Sequence, residues 1–509
     1  LTAVPKTLAA LGLLAVCVGV AVAAVDLRTK RVSAPMGEGL SATAKRLFEG
    51  SATSRAAREG GSASPGSGAS KTASSESGGP EEAIHRLLSA EESLQRAYEE
   101  LEKRRRIARE FPLYAAAYPD FDVRLLHARI YDSPGKDAKV IGYLRRGKIV
   151  RAKPAVGAPG CGSGKWHPIQ GGGYICTLYG YEVGSKPPEV HHVQLQPDDD
   201  RAVPFRYVKP VDTGAPILNR LPNAKEQELI EKARQGKGRY PRGIVFKRMV
   251  GYFRLSIHKK VERGDVAYLR TVQGHYVRAS DVKDCEDPAM RGVKLIGSRT
   301  LPIAFVFEKS RKKYEMRQGK LVETGTLQKH ARFTVSRTFE HQGVEYVQAE
   351  DGTVVPRDSV RVAERIEPPE KVRKGDKWMH VALGEQTLVA YEWKTPVFVT
   401  LVSSGKKGYR PPRGTFYVHK KYLTVTMGGQ DPIEGQYRVE DVPWTMYYWR
   451  SYAVHGAYWH NDFGVPRSHG CTNVSPPDAK WLYYWSDPEV PLGWNARIRA
   501  RGTWVRYTR

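Results

Sequence analysis

Apolar and polar positions alternate in two distinct ways along this chain. Ile84, Leu87, Leu88, Leu94, Tyr98 and Leu101 recur at helical spacing with charged residues between them, which predicts a helix over 81–112 opened by Pro80. Leu87, Leu94 and Leu101 fall seven apart, but Glu91 at an apolar position favours a helix packed on the next domain over a coiled coil. From Asp122 to Arg365 the period shortens to two, with Gly turns between short apolar runs, the pattern of small β units. The same alternation continues in Val397-Phe398-Val399-Thr400-Leu401-Val402. A helix start is read at Ser475-Pro476-Pro477-Asp478, with Ser as cap, Pro in the first turn and Asp three residues after the cap.

A local repeat sits inside the β region. Trp166, Gly172, Tyr174 and Ile175 return 102 residues later as Tyr268, Gly274, Tyr276 and Val277, and 78 further on as Tyr346, Gly352, Val354 and Val355. Each copy reads as an aromatic strand, a Gly turn and an apolar strand, the ending of a small barrel. The aromatics are read mainly as core residues, with contact to a ligand as the functional alternative. Segments follow from these shifts: 1–25, 26–80, a helix over 81–112, barrel-like units over 113–186, 199–290 and 291–366, and a C-terminal domain over 367–509.

At the N-terminal end Leu8 to Val25 is apolar for eighteen positions, with Lys6 before it and Ala21-Val22-Ala23-Ala24 inside it, which predicts an export signal or a membrane anchor. Cys17 follows the bulky Val16 and is a poor acylation site. From Ser33 to Pro80 the chain is rich in Ser, Ala and Gly, with almost no large apolar residue after Phe48, and is expected to act as a tether.

With 509 residues the chain is long enough for several domains. Lys and Arg exceed Asp and Glu by 81 to 54, a net charge of +27 that favours anionic partners. The basic residues are scattered among strands without a base-stacking motif, so nucleic acid is not expected as a partner. Of five cysteines, Cys161 and Cys176 flank a Gly-rich stretch and are the disulfide candidate of an exported protein, while Cys285 is expected to be buried.

The chemistry is concentrated in Val454-His455-Gly456 and Ser468-His469-Gly470-Cys471-Thr472-Asn473. A thiol attacks as thiolate, so Cys471 needs a base or cation beside it, and His455 and His469 are the available partners. Gly470 tolerates the strained turn of an exposed nucleophile, and the amides around it are candidates for an oxyanion hole. His455, His460, His469 and Cys471 match no compact zinc spacing, so no metal site is expected, and acyl transfer through a thioester needs no organic cofactor. A Gly-Cys step among polar residues also fits a buried structural cysteine poorly.

At these residues the chain resembles the catalytic domain of the L,D-transpeptidases, whose hallmark is a histidine, a variable loop and Ser/Thr-His-Gly-Cys-x-Asn. The resemblance runs over roughly 375–509: Trp378 to Tyr391 with Gln386 and Leu388, Val402-Ser403-Ser404-Gly405, Pro412-x-Gly414-x-Phe416, Pro443-Trp444, Trp459-His460 and Phe463-Gly464 also fit. Thr472 departs from the more usual apolar residue. The resemblance implies Cys471 as nucleophile and His455 as general base, with Ser468, His469, Gly470, Asn473 and Gly456 in oxyanion or positioning roles. It implies peptidoglycan stem peptides as substrates, carbapenem-type β-lactams as acylating inhibitors, and a periplasmic or cell-envelope location with a possible inner-membrane anchor.

Val123 to Ile130, Ile141-Gly142-Tyr143 and Gly147 resemble bacterial Src homology 3-like domains; the second and third units share only the barrel ending. The expected fold is mainly β: a C-terminal L,D-transpeptidase-like β-sandwich or barrel with small helices, preceded by small barrels and an N-terminal helix. Three alternatives remain on these residues: a cysteine peptidase of wall peptides, an L,D-carboxypeptidase, and a non-catalytic wall-binding protein. The peptidase normally places its cysteine upstream of the histidine, the reverse of the order here.

Overall fold

The computed structural model describes residues 80–117, 127–188, 195–297, 299–431, 435–499 and 501–509. The expected export segment over 1–25 and the tether before Pro80 lie outside them. Among the described residues no helix is long and apolar enough to cross a membrane. Ser89–Arg509 forms one compact unit.

The fold is mainly β, with few helices. The first helix runs Pro80–Glu110, close to its expected bounds. Tyr98 and Leu101 are exposed, so the expected packing of this stripe on the next domain is not made there. The last turn is tied down through Lys153 Nζ to Glu110 at 2.9 Å and Lys153 over the Phe111 ring.

Residues 113–117 and 127–184 contribute a three-stranded sheet and one end of a large sheet that continues from Val140–Arg145 into Ala496–Ile498 of the C-terminal domain. Leu113–Ala117 lies between Ile149–Ala152 and Tyr181–Gly184, and His127–Tyr131 pairs with Val140–Arg145 and Tyr174–Cys176. Ala115, Ile130, Leu144 and Ile175 fill the space between them. Cys161 and Cys176 form a disulfide.

The three repeated endings adopt one geometry. Trp166 pairs with Cys176, Tyr268 with Arg278 and Tyr346 with Pro356, and each hairpin is followed by a 3-10 turn and a closing strand. Trp166 and Tyr268 are buried, and Tyr346 is half-buried against Phe339. The first two aromatics are therefore core residues, not contacts held out to a ligand.

The units are not independent beads. Val293–Lys294, expected in the third barrel, pairs instead with Thr395–Leu401 and so belongs to the C-terminal sheet. The order of that sheet is Val293–Lys294, Thr395–Leu401, Thr387–Glu392, Lys377–Ala382, Trp504–Thr508, Gly414–Tyr417. Alternation along its strands feeds two cores. Met379, Val381, Leu388 and Ala390 face Trp444, Met446, Val454 and Leu482, whereas Trp378, Val389 and Tyr391 face Ile303, Phe305 and Phe307 of the third unit. This is why both faces of its strands read as apolar.

A long hairpin, Lys420–Asp431 with Gly435–Trp449, dominates the other sheet. The second unit extends this hairpin: Tyr252–Arg254 pairs in parallel with Tyr437–Val439. Gly251 has φ +97°, and a Cβ there would strike the Gln436 carbonyl, so glycine is required at the junction. A buried polar cluster joins three units at one carboxylate. Arg145 Nη1 donates to Asp441 at 2.9 Å, Ser256 Oγ donates to it at 2.6 Å and Gln273 Nε2 at 3.0 Å. Burial opposes ionisation of Asp441, but the Arg145 guanidinium and these hydrogen bonds outweigh it and hold the carboxyl below its ordinary range.

The helix Pro476–Trp485 begins where expected and packs against the long hairpin and the strand Tyr452–Gly456. Its capping differs. The Ser475 side chain makes no cap, and Asp478 accepts from Gly292 N at 2.9 Å and Thr400 Oγ1 at 2.6 Å, so it ties the helix to two neighbouring segments.

Candidate active site

Two short strands carry the expected chemistry. Tyr452–Gly456 pairs in parallel with Thr472–Val474, and His455 lies opposite Asn473. Residues two apart on a strand share a face. Cys471, two positions before Asn473, therefore emerges on the face that carries His455, with Ala453 beside it.

The loop before Cys471 is built by its own side chains. Ser468 Oγ accepts the Gly470 amide at 3.0 Å and donates to the Cys471 carbonyl. Gly470 has φ +124°, and a Cβ there would lie 2.6 Å from the Tyr452 ring. Only glycine satisfies both the turn and the ring. The loop is anchored by Lys406 N to Ser468 O at 3.0 Å and by a reciprocal pair of backbone bonds between Ser403 and Asn473, at 2.9 and 3.0 Å. Ser404 is fixed in turn by Gln386, whose amide accepts from Ser404 N at 2.7 Å and donates to its Oγ at 2.8 Å.

Cys471 is half-buried, with Sγ 3.7 Å from the Ser451 carbonyl. Burial pushes its thiol up to about 11, opposed by a hydrogen bond from the Ala453 backbone. His455 is 2% exposed, and burial pulls it down to about 4 against the raising effect of the Gly456 carbonyl, which lies 3.3 Å from Nδ1. Desolvation thus takes the imidazole well below its unperturbed value near 6.5. At neutral pH the resting pair is a thiol and a neutral imidazole. With Nδ1–H donating to Gly456, Nε2 is left as the proton acceptor.

The other motif residues divide between frame and wall. Asn473 is buried with its amide on His460 Nε2 at 2.8 Å, and the Ser468 hydroxyl is spent inside the loop, so Ser468 can position Cys471 and its hydroxyl is not directed at a substrate. The Gly470 amide is likewise occupied, which takes it out of an oxyanion hole. Gly456 supplies a carbonyl, and a Cβ on it would press on Pro443 at 3.1 Å. His469 belongs to the cleft wall: it stacks on Tyr437 with an interplanar angle of 1°, meets Tyr409 edge-on, and has Nε2 3.6 Å from Asp431. Arg467 pairs with Asp462 at 3.2 Å.

Sequence patterns do not mark this wall. Tyr409, Asp431 and Tyr437 carry no motif, and only the density of aromatics along 437–459 points to the region.

Residues 376–505 match the family described as the L,D-transpeptidase catalytic domain, YkuD. This segment is an L,D-transpeptidase catalytic domain. The chain is 26% identical over 133 residues to the candidate L,D-transpeptidase YciB of Bacillus subtilis strain 168, covering 22% of this chain and 62% of that one. It is 25% identical to a crystallised mutant of the Enterococcus faecium L,D-transpeptidase, covering 26% of this chain and 50% of the other, with a TM-score of 0.22. The ertapenem-acylated E. faecium catalytic domain is 25% identical, covering 27% of this chain and all of that domain, with a TM-score of 0.22. The chain thus spans less than two thirds of the first two relatives.

Proposed function

We propose that this protein is an exported peptidoglycan L,D-transpeptidase in which Cys471 is the nucleophile and His455 the general base. The observation that carries this reading is the parallel pairing of Tyr452–Gly456 with Thr472–Val474, which puts His455 opposite Asn473 and Cys471 at the head of the neighbouring strand. Cys471 Sγ attacks the amide carbonyl after the third residue of a stem tetrapeptide while its proton passes to His455 Nε2. The C–N bond then breaks, His455 returns the proton to the departing D-amino acid, and a thioester remains. An amine acceptor attacks the thioester, His455 takes the amine proton, and the thiolate is reprotonated as it leaves. Two easier substitutions replace one difficult one.

The two pKa shifts give this mechanism its timing. A thiol near 11 beside an imidazole near 4 holds no ion pair at rest, so the proton moves as the carbon–sulfur bond forms. The Gly456 carbonyl fixes the tautomer, as a second hydrogen bond does for any catalytic imidazole.

Export is supported by the apolar Leu8–Val25 and fits the Cys161–Cys176 disulfide, because such bonds persist in oxidising compartments. The N-terminal units are Src homology 3-like barrels in this reading, and the second of them braces the long hairpin. A β-lactam of the carbapenem class acylates Cys471. Intact-mass measurement after incubation with ertapenem tests this: one covalent adduct is expected, absent in Cys471→Ala, and an unchanged wild-type mass contradicts an activated thiol.

A further inference from the structure

One large aromatic beside the thiol has no role in this chemistry. Trp449 ends the long hairpin and remains 43% exposed, although tryptophan is usually well covered. Across the hairpin it pairs with Tyr452, the ring that packs on Gly470. Its neighbour Ser451 presents the carbonyl 3.7 Å from Cys471 Sγ. Trp449 therefore stands at the rim of the cysteine's cleft.

The indole is held in place. Phe416 packs beside it at 5.4 Å between centroids with an interplanar angle of 45°, and the Arg450 guanidinium lies 5.6 Å from its centroid. A flat, braced, solvent-facing ring with a hydrogen-bond donor beside it is the chemistry that binds a sugar: the apolar C–H face of a pyranose stacks on the ring and the guanidinium reaches a hydroxyl or acetamido oxygen.

We propose that Trp449, with Phe416 and Arg450, is a stacking subsite for the amino-sugar that carries the stem peptide. This rests on the transpeptidase reading and adds the recognition of glycan. The reach agrees. The turn at Arg450 and Ser451 keeps the Trp449 backbone within about 7 Å of Ser451, and the three stem residues between sugar and scissile amide span at most about 10 Å. A sugar seated on the indole leaves the amide carbonyl within reach of Cys471.

The experiment compares kcat/KM for a disaccharide-linked tetrapeptide and for the same tetrapeptide without sugar, in wild type, Trp449→Ala and Trp449→Tyr. The ratio of the two values should fall about tenfold in Trp449→Ala, the size of one good stacking contact, and recover largely in Trp449→Tyr. Equal losses on both substrates, or no loss on either, overturn the subsite. Titration of the disaccharide alone into the Cys471→Ala protein, with and without Trp449→Ala, gives a readout independent of turnover. If wild type processes neither substrate, the transpeptidase reading fails while that titration still decides on the sugar: binding lost with Trp449→Ala supports the subsite, and unchanged or absent binding overturns it.

Discussion

Ser468 Oγ accepts the amide hydrogen of Gly470 at 3.0 Å and thereby closes the turn that presents Cys471. The same hydroxyl donates to the Cys471 carbonyl, so one side chain fixes the backbone on both sides of the nucleophile. Ser468→Ala should cost about 1 kcal/mol of stability but lower acylation of Cys471 more than tenfold, because misplacing a reacting atom is more damaging than losing one hydrogen bond. Ser468→Thr, which keeps the hydroxyl, should retain most of the rate. Stopped acylation time courses with ertapenem check both variants, and wild-type rates in Ser468→Ala would refute the positioning role.

Reactivity of the thiol should rise with pH rather than plateau. Burial lifts Cys471 to about 11 and lowers His455 to about 4, so at neutral pH little thiolate exists and no ion pair sustains it. Alkylation by iodoacetamide, followed by peptide mapping to separate Cys471 from Cys285, should accelerate about tenfold per pH unit between 7 and 9. A rate constant flat from pH 5 to 8 would show instead that His455 takes the proton from the thiol, in a preformed pair or during the attack.

The first and second β units should be energetically inseparable from the C-terminal domain. Arg145 and Asp441 are both buried, come from sequence-distant units, and meet at 2.9 Å. Arg145→Met strips Asp441 of its cation inside the protein and should destabilise it by about 3 kcal/mol. Adding Asp441→Asn should recover part of that loss, since the uncompensated charge is then gone. Urea unfolding of the three variants measures this, and a loss below about 1 kcal/mol for Arg145→Met would show that the cluster contributes little.

Mild acid should weaken the fold. His330, His380 and His455 are buried, and desolvation lowers each to about 4. In the unfolded chain an imidazole protonates near pH 6.5. Between 6.5 and 4 the unfolded state binds more protons, so the stabilisation is complete above 6.5 and is lost as pH falls toward 4. By pH 5 each histidine should cost about 2 kcal/mol relative to pH 7. Melting temperatures that do not change between pH 7 and 5 would contradict this.

The sequence made the local chemistry legible and hid its assembly. His455, Gly470 and Cys471 stand out because they carry the resemblance to a known motif, and Gly470 adopts the strained turn expected of it, at φ +124°. The hairpins of Trp166, Tyr268 and Tyr346 were readable because period-two alternation and a Gly turn specify them locally. The pairing of Tyr252–Arg254 with Tyr437–Val439, and of Val293–Lys294 with Thr395–Leu401, depends on contacts between distant segments and leaves no local period. The wall of Tyr409, Asp431 and Tyr437 is hidden for the same reason. Asp478 shows the reverse error: its position matches a helix-start signal, but a buried carboxylate finds stronger partners in Gly292 and Thr400 than in its own helix.

The most direct test is mass spectrometry of muropeptides after incubation with the purified protein and with Cys471→Ala. Tetrapeptide muropeptides should yield cross-linked dimers and a released terminal D-amino acid with the wild type, and neither with the variant. Identical, unaltered muropeptides from both proteins would contradict the assignment of Cys471 as the nucleophile of an L,D-transpeptidase.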